Sequence, residues 1–171
     1  MRIYNRTKID TAAIHAVLKA AKTAVGSCPT NMAIRVSNGH YVHGMAYTYD
    51  WVRRKFMGMR NKLNGKLYVA CDGFFEIWLP ITRGEVLETA EQFFACAAHE
   101  MRHLRDHHKG LHFDSHKKRY ANRSHEKRAM RSASRAAMKL TSRPDWQEAV
   151  INLGLAIEDV RMAINAKRRA E

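Results

Sequence analysis

Cysteine is scarce and odd in number. Cys28, Cys71 and Cys96 stand far apart in a chain of 171 residues, which argues against a disulfide framework or a Cys-rich zinc cluster and fits reduced thiols. No run of 18 uncharged apolar residues occurs, so a membrane-spanning helix is not expected. The opening residues Met1-Arg2-Ile3-Tyr4-Asn5-Arg6 lack the apolar core of a secretory signal, and the expectation is a cytoplasmic protein. Acidic residues are also few, 16 against 30 Lys and Arg, for a formal net charge of +14. Internal repeats, low-complexity tracts, helix-turn-helix patterns, zinc fingers and base-stacking motifs are all missing.

What is present suits one compact domain over residues 1–171, with a core over about 10–140 and a last helix over about 145–168. Ile14, Val17, Leu18, Ala21 and Val25 recur at helical spacing before Gly26 and Pro29, which predicts an amphipathic first helix. Met32–Ser37 and Tyr41–Tyr47 read as strands joined by an Asn38-Gly39 hairpin turn. Leu67–Ala70 and Phe74–Leu79 read as two more. The last of these, just before the next helix, is the predicted substrate-binding edge, with Trp78 able to pack a substrate side chain although aromatic strand residues more often fill core. Trp146–Ala166 forms a final amphipathic helix through residues that include Ile151, Leu153, Ile157 and Val160.

The most informative segment is His99-Glu100-Met101-Arg102-His103, an HExxH motif. Thr82-Arg83-Gly84-Glu85 reads as a capping box, and Val86–His108 contains neither proline nor glycine, so a long helix is predicted. Ala90, Phe93, Phe94, Ala97, Met101 and Leu104 fall on one apolar stripe, with His99, Glu100, His103 and His107 on its flank. One helical turn separates His99 from His103, so both imidazoles can reach one Zn²⁺. Glu100 beside them is placed to act as general base for hydrolysis of an amide.

Two histidines need a third protein ligand. The candidates downstream are His107, His108, His112, His116, His125 and Glu126. His99 and His107 are separated by about 12 Å of helix rise, which disfavours His107. Residues 117–140 read as a second helix on which Glu126, an isolated acid in a basic segment, shares an apolar stripe with Ala129, Met130, Ala133 and Ala137. Glu126 is therefore preferred and His116 is the runner-up; the competing reading of Glu126 is a salt bridge to a neighbouring base. Tyr120, His116 and His125 are candidates to stabilise an oxyanion.

HExxH followed by Glu126-Lys127-Arg128-Ala129 on the next helix resembles the gluzincin metallopeptidases, in particular minimal phage and bacterial forms similar to the ImmA/IrrE and SprT-like families. The resemblance covers roughly residues 10–140. It implies an α+β, zincin-like fold: a small, mostly antiparallel sheet packed on an N-terminal helix and the HExxH helix, followed by two further helices. It also implies Zn²⁺ held by His99, His103 and Glu126, Glu100 as general base, Ala129 in the family's small-residue position, and a peptide substrate added to the edge of the sheet. The chain departs from the family in having Met130 where larger gluzincins carry an acid. The extended metzincin pattern fails at Asp106 and Lys109, and His116 is followed by Lys117 rather than the glycine of SprT-like proteins.

The basic residues concentrate in 53–66, 102–143 and the tail Lys167-Arg168-Arg169, which makes a polyanion a natural partner, with solvated helix faces and an acidic protein substrate as the competing account. Two functions follow. One is a zinc metalloendopeptidase acting on a protein or peptide, with non-specific nucleic-acid binding as an accessory. The alternative is a non-catalytic nucleic-acid-binding or virion-associated protein that keeps a zinc site.

Overall fold

The computed structural model describes residues 1–38, 44–47, 73–79, 89–111, 119 and 122–171. Helix dominates. In chain order the elements are β1 (Arg2–Asn5), α1 (Thr11–Val25), β2 (Met32–Asn38), β3 (Gly44–Tyr47), β4 (Gly73–Leu79), α2 (Ala90–His108), α3 (Ser124–Leu140) and α4 (Pro144–Ala170).

α1 forms where its periodicity predicts. The Asp10 side chain accepts from the Ala12 amide at 3.2 Å, satisfying one of the donors left free at a helix start. Ile14, Val17, Leu18, Ala21 and Val25 are all buried. The helix stops at Gly26, whose φ of 65° costs glycine little and a β-carbon more. The Arg105 guanidinium of α2 donates to the Val25 carbonyl, capping this end from another element.

The sheet has the order β1-β2-β4-β3, with β1–β2 and β2–β4 parallel and β3–β4 antiparallel. The expected α+β, zincin-like arrangement with a mostly antiparallel sheet is therefore overturned: four helices carry most of the described structure, and two of the three ladders are parallel. For the β1–β2 pair the physical reason is α1. It separates β1 from β2 in sequence and supplies the crossover that a parallel pair requires and a hairpin cannot provide. Strand β1 is too short and too polar to show alternation, and the sequence reading missed it. The Asn38-Gly39 hairpin is also overturned, because β4 lies between β2 and β3. Met32, Ala33, Ile34 and Val36 are all buried, a near-continuous apolar run that fits a strand covered on both faces. The assignment of β4 as the substrate-binding edge fails for the same reason: β4 is interior, and the edges among the described strands are β1 and β3. The side chain of Trp78 and the predicted strand Leu67–Ala70 lie outside the described residues.

α2 is the hub, touching α1, α3, α4, β3 and β4. The predicted capping box at 82–85 lies outside the described residues, and the helix begins four residues after the predicted Val86. Its cap is Thr89, whose side chain accepts from the Gln92 amide while the Gln92 side chain accepts from the Thr89 amide, each at 3.2 Å. Ala90, Phe93, Phe94, Ala97, Met101 and Leu104 are all buried as predicted. The two phenylalanines are each worth roughly 1.5–3 kcal/mol of apolar burial. The far end closes as a Schellman turn. Gly110 at φ 66° donates to His107 and Leu111 donates to Asp106, both at 2.9 Å.

α3 begins at Ser124, later than the predicted 117; Arg119 and Arg123 are not helical, and residues 117–118 lie outside the described set. α4 starts with Pro144 at its first turn, where the missing amide costs nothing. It lays Trp146, Val150, Leu153 and Ile157 into the core, with the Trp146 ring 6.0 Å from Phe94. Ile151, expected on that face, is instead 59% exposed. Among the described residues no helix is long and apolar enough to cross a membrane.

Candidate metal centre

α2 turns its apolar stripe to the core and thereby presents the flank carrying His99 and His103 to α3. The two imidazole Nε2 atoms stand 3.0 Å apart, with ring centroids separated by 4.7 Å and ring planes at 81°. Glu126, in the first turn of α3, brings Oε2 to 3.2 Å from each Nε2. The side chains of His99, His103 and Glu126 are only 14%, 11% and 9% exposed. Three donor atoms from two helices thus converge on one small triangle, and this group could hold a metal ion.

The donor set and its dimensions fit such an ion. Tetrahedral coordination with bonds of about 2.0–2.1 Å separates donor atoms by roughly 3.3 Å, so the triangle needs only a few tenths of an ångström of expansion. Two imidazoles and one carboxylate supply three ligands and leave a fourth position for water or substrate. The first turn of α3 also favours the Glu126 carboxylate, because a helix N-terminus carries partial positive charge.

A second layer holds the carboxylate. His125, itself buried, places Nε2 3.4 Å from Glu126 Oε1, the oxygen turned away from the histidine pair. Its ring also meets the His103 ring edge-on at 5.6 Å. Below the site, Asp106 of α2 is fully buried and takes Arg102 Nε and Arg128 Nε at 2.6 Å each, one on either carboxylate oxygen. The Arg128 bond fastens α3 to α2 two residues beyond Glu126. The sequence reading treated Asp106 only as a departure from a glycine pattern and His125 only as an oxyanion candidate. The i,i+4 spacing of Arg102 and Asp106 was the one local signal for the first.

The other predicted site residues fall as follows. Glu100 is buried, 6% exposed, and lies near enough to Cys96 to add to the rise of that thiol's pKa, which burial already pushes well above the ordinary value. His107 and His108 share α2 but lie outside the converging group, as the rise argument requires. His112, His116 and Tyr120 lie outside the described residues. On α3 the expected apolar stripe is only partly realised: Ala129 is buried, but Met130 is 53% exposed, Ala137 is exposed and Ala136 takes the inner position. Cys28 and Cys96 are free thiols. Burial raises Cys28 to about 11 against the lowering influence of Lys22, Arg105 and Arg102.

Compared with models of known protein families, with curated proteins and with solved structures, the chain shows no match.

Proposed function

We propose that this chain is a zinc-dependent metalloendopeptidase, with His99, His103 and Glu126 as ligands and Glu100 as general base. The observation that carries the reading is the Glu126 carboxylate oxygen lying 3.2 Å from both imidazoles of an HExxH motif. Two imidazoles with one carboxylate favour zinc among common divalent ions. When bound, zinc lowers the pKa of water towards neutrality and polarises a carbonyl. Glu100 accepts the proton of the attacking water and returns it to the leaving amine, the two proton transfers that amide hydrolysis needs. His125 keeps the Glu126 carboxylate turned, and Asp106 with Arg128 keeps its helix in place.

The ligand set and its spacing support a gluzincin-type site. Strand β3, an edge among the described strands that packs on α2, replaces β4 as the strand that a substrate peptide would extend. Free thiols suit a reducing compartment such as the cytoplasm.

Metal analysis of the purified protein, with cleavage of casein by the wild type and Glu100→Gln, tests the reading. One zinc per chain in both, with hydrolysis in the wild type alone, is the expected result. Zinc without any hydrolysis would leave a structural site and overturn the enzyme. Zinc retained by Glu126→Ala but lost in His116→Ala would move the third ligand.

A further inference from the structure

The positive charge of the chain is not spread evenly over the described structure. Near the metal centre, Arg102 and Arg128 are taken up by Asp106, and at the start of α4 Arg143 is paired with Asp145. α4 mixes its bases with Asp145, Glu148, Glu158 and Asp159. α3 differs. Its single acid, Glu126, is buried towards α2. On the opposite side Lys127, Arg131, Arg135 and Lys139 follow one another at i,i+4, all exposed. Among the described residues no carboxylate pairs with any of the four, and each like-charged i,i+4 neighbour opposes the helix. A row of this kind is unfavourable for the isolated chain and is relieved by an anion lying along it.

We propose that this outward row on α3 binds the phosphate backbone of a nucleic acid, independently of base sequence. Successive members rise by about 6 Å, of the same order as the separation of neighbouring phosphates on one strand. The i,i+4 row runs at about 26° to the helix axis, so a strand crossing α3 obliquely meets all four cations. Ser134, also exposed on this face, adds a hydroxyl donor. An anionic membrane is the weaker fit. The apolar residues exposed beside the row are Met130 and Met138, without the Trp, Phe or Leu that seats a helix among acyl chains. An acidic protein lacks the regular charge spacing that the row matches. The metal ligands lie on the other side of α3, so this inference does not rest on the hydrolytic reading.

Anisotropy of a labelled 20-base-pair DNA duplex and of its single strand, titrated with the full chain across a salt series, tests the proposal. Four phosphate contacts on a duplex give a slope of log affinity on log salt near −3.6, hence a loss of roughly 100-fold between 50 and 200 mM salt. The quadruple variant Lys127→Gln, Arg131→Gln, Arg135→Gln, Lys139→Gln is expected to weaken binding at least tenfold at 100 mM salt and to flatten the slope by about three. Arg131→Lys with Arg135→Lys is expected to bind as the wild type does, because a phosphate accepts either cation. Glutamine is a good helix former and removes the repulsion, so circular dichroism should be unchanged. If the quadruple variant fails to fold, the double variant Lys127→Gln, Arg131→Gln should still flatten the slope by about two. Neutralising Lys167, Arg168 and Arg169 at the end of α4 should change affinity by less than about threefold. Equal losses from that tail, an unaffected quadruple variant, or binding to phosphatidylserine vesicles but to neither DNA would each overturn the proposal.

Discussion

Asp106 on α2 accepts the Arg128 guanidinium of α3 at 2.6 Å, and this ion pair, with the Asp106 side chain 1% exposed, fixes the helix carrying His99 and His103 against the helix carrying Glu126. Burying the carboxylate carries a desolvation cost that the Arg128 hydrogen bond offsets, while Arg102 Nε lies 2.6 Å from the second oxygen as an ion pair without hydrogen-bond geometry. Replacing Asp106 by Asn leaves two guanidiniums facing each other over a neutral amide. Breaking a buried pair costs about 3 kcal/mol, which urea unfolding would register as a lowered midpoint. Zinc affinity should fall with it, since Glu126 depends on the same helix contact. An unchanged midpoint would show that the pair does not hold the helices.

His125 should act through Glu126 rather than on substrate. It faces the carboxylate oxygen turned away from His99 and His103, at 3.4 Å, and partners of this kind typically account for 10–100-fold in metal affinity. Competition with a chromophoric chelator should show His125→Ala weakened by about that range. His125→Gln, which keeps an amide donor at similar reach, should recover part of the loss. Equal affinity in all three proteins would remove His125 from the site.

On the proposed zinc reading the ion should stabilise the fold, because the three residues that could hold it, His99, His103 and Glu126, come from two helices that must be docked for it to bind. At about 100 times the dissociation constant, a ligand of the native state adds roughly 2.7 kcal/mol. In a chain of this size that corresponds to a rise in Tm of about 5–10 °C. Thermal scans with zinc and with a chelator would measure it. His103→Ala and Glu126→Ala should abolish the shift.

The parts legible in the sequence are those that local spacing decides. The period of Ile14, Val17, Leu18 and Ala21 fixes α1, and that of Phe93, Phe94, Ala97 and Met101 fixes the buried side of α2, which in turn dictates where His99 and His103 point. Glu126 was legible because an isolated acid among bases has little reason to sit on an inner face. Strand order was not legible. The Asn38-Gly39 signal concerns only its own four residues, whereas β2 has two neighbours, β1 through the α1 crossover and β4 on the other side, with Met32, Ala33, Ile34 and Val36 buried. The exposure of Met130 and the fit of Asp106 to Arg128 depend on how two helices meet, which no single helix period contains.

Cys28 offers a test of the packing between α1 and α2 that is independent of any metal. Its thiol stands 3.8 Å from the Met101 carbonyl and burial raises its pKa from 9.0 to about 11. At pH 8 the thiolate fraction is then roughly a hundredfold below that of the unfolded chain, so alkylation followed by peptide mass spectrometry should show Cys28 reacting about a hundredfold more slowly before unfolding than after. Because the folded-state pKa is raised, the native chain holds this proton more tightly than the unfolded one. The associated stability is fully present below pH 9 and is lost as pH rises towards 11. Urea titrations over that interval should show a decline of up to about 2 kcal/mol that Cys28→Ala removes. A native alkylation rate equal to the unfolded one, or a decline unchanged in Cys28→Ala, would mean that this thiol is not shielded beside the Met101 carbonyl of α2.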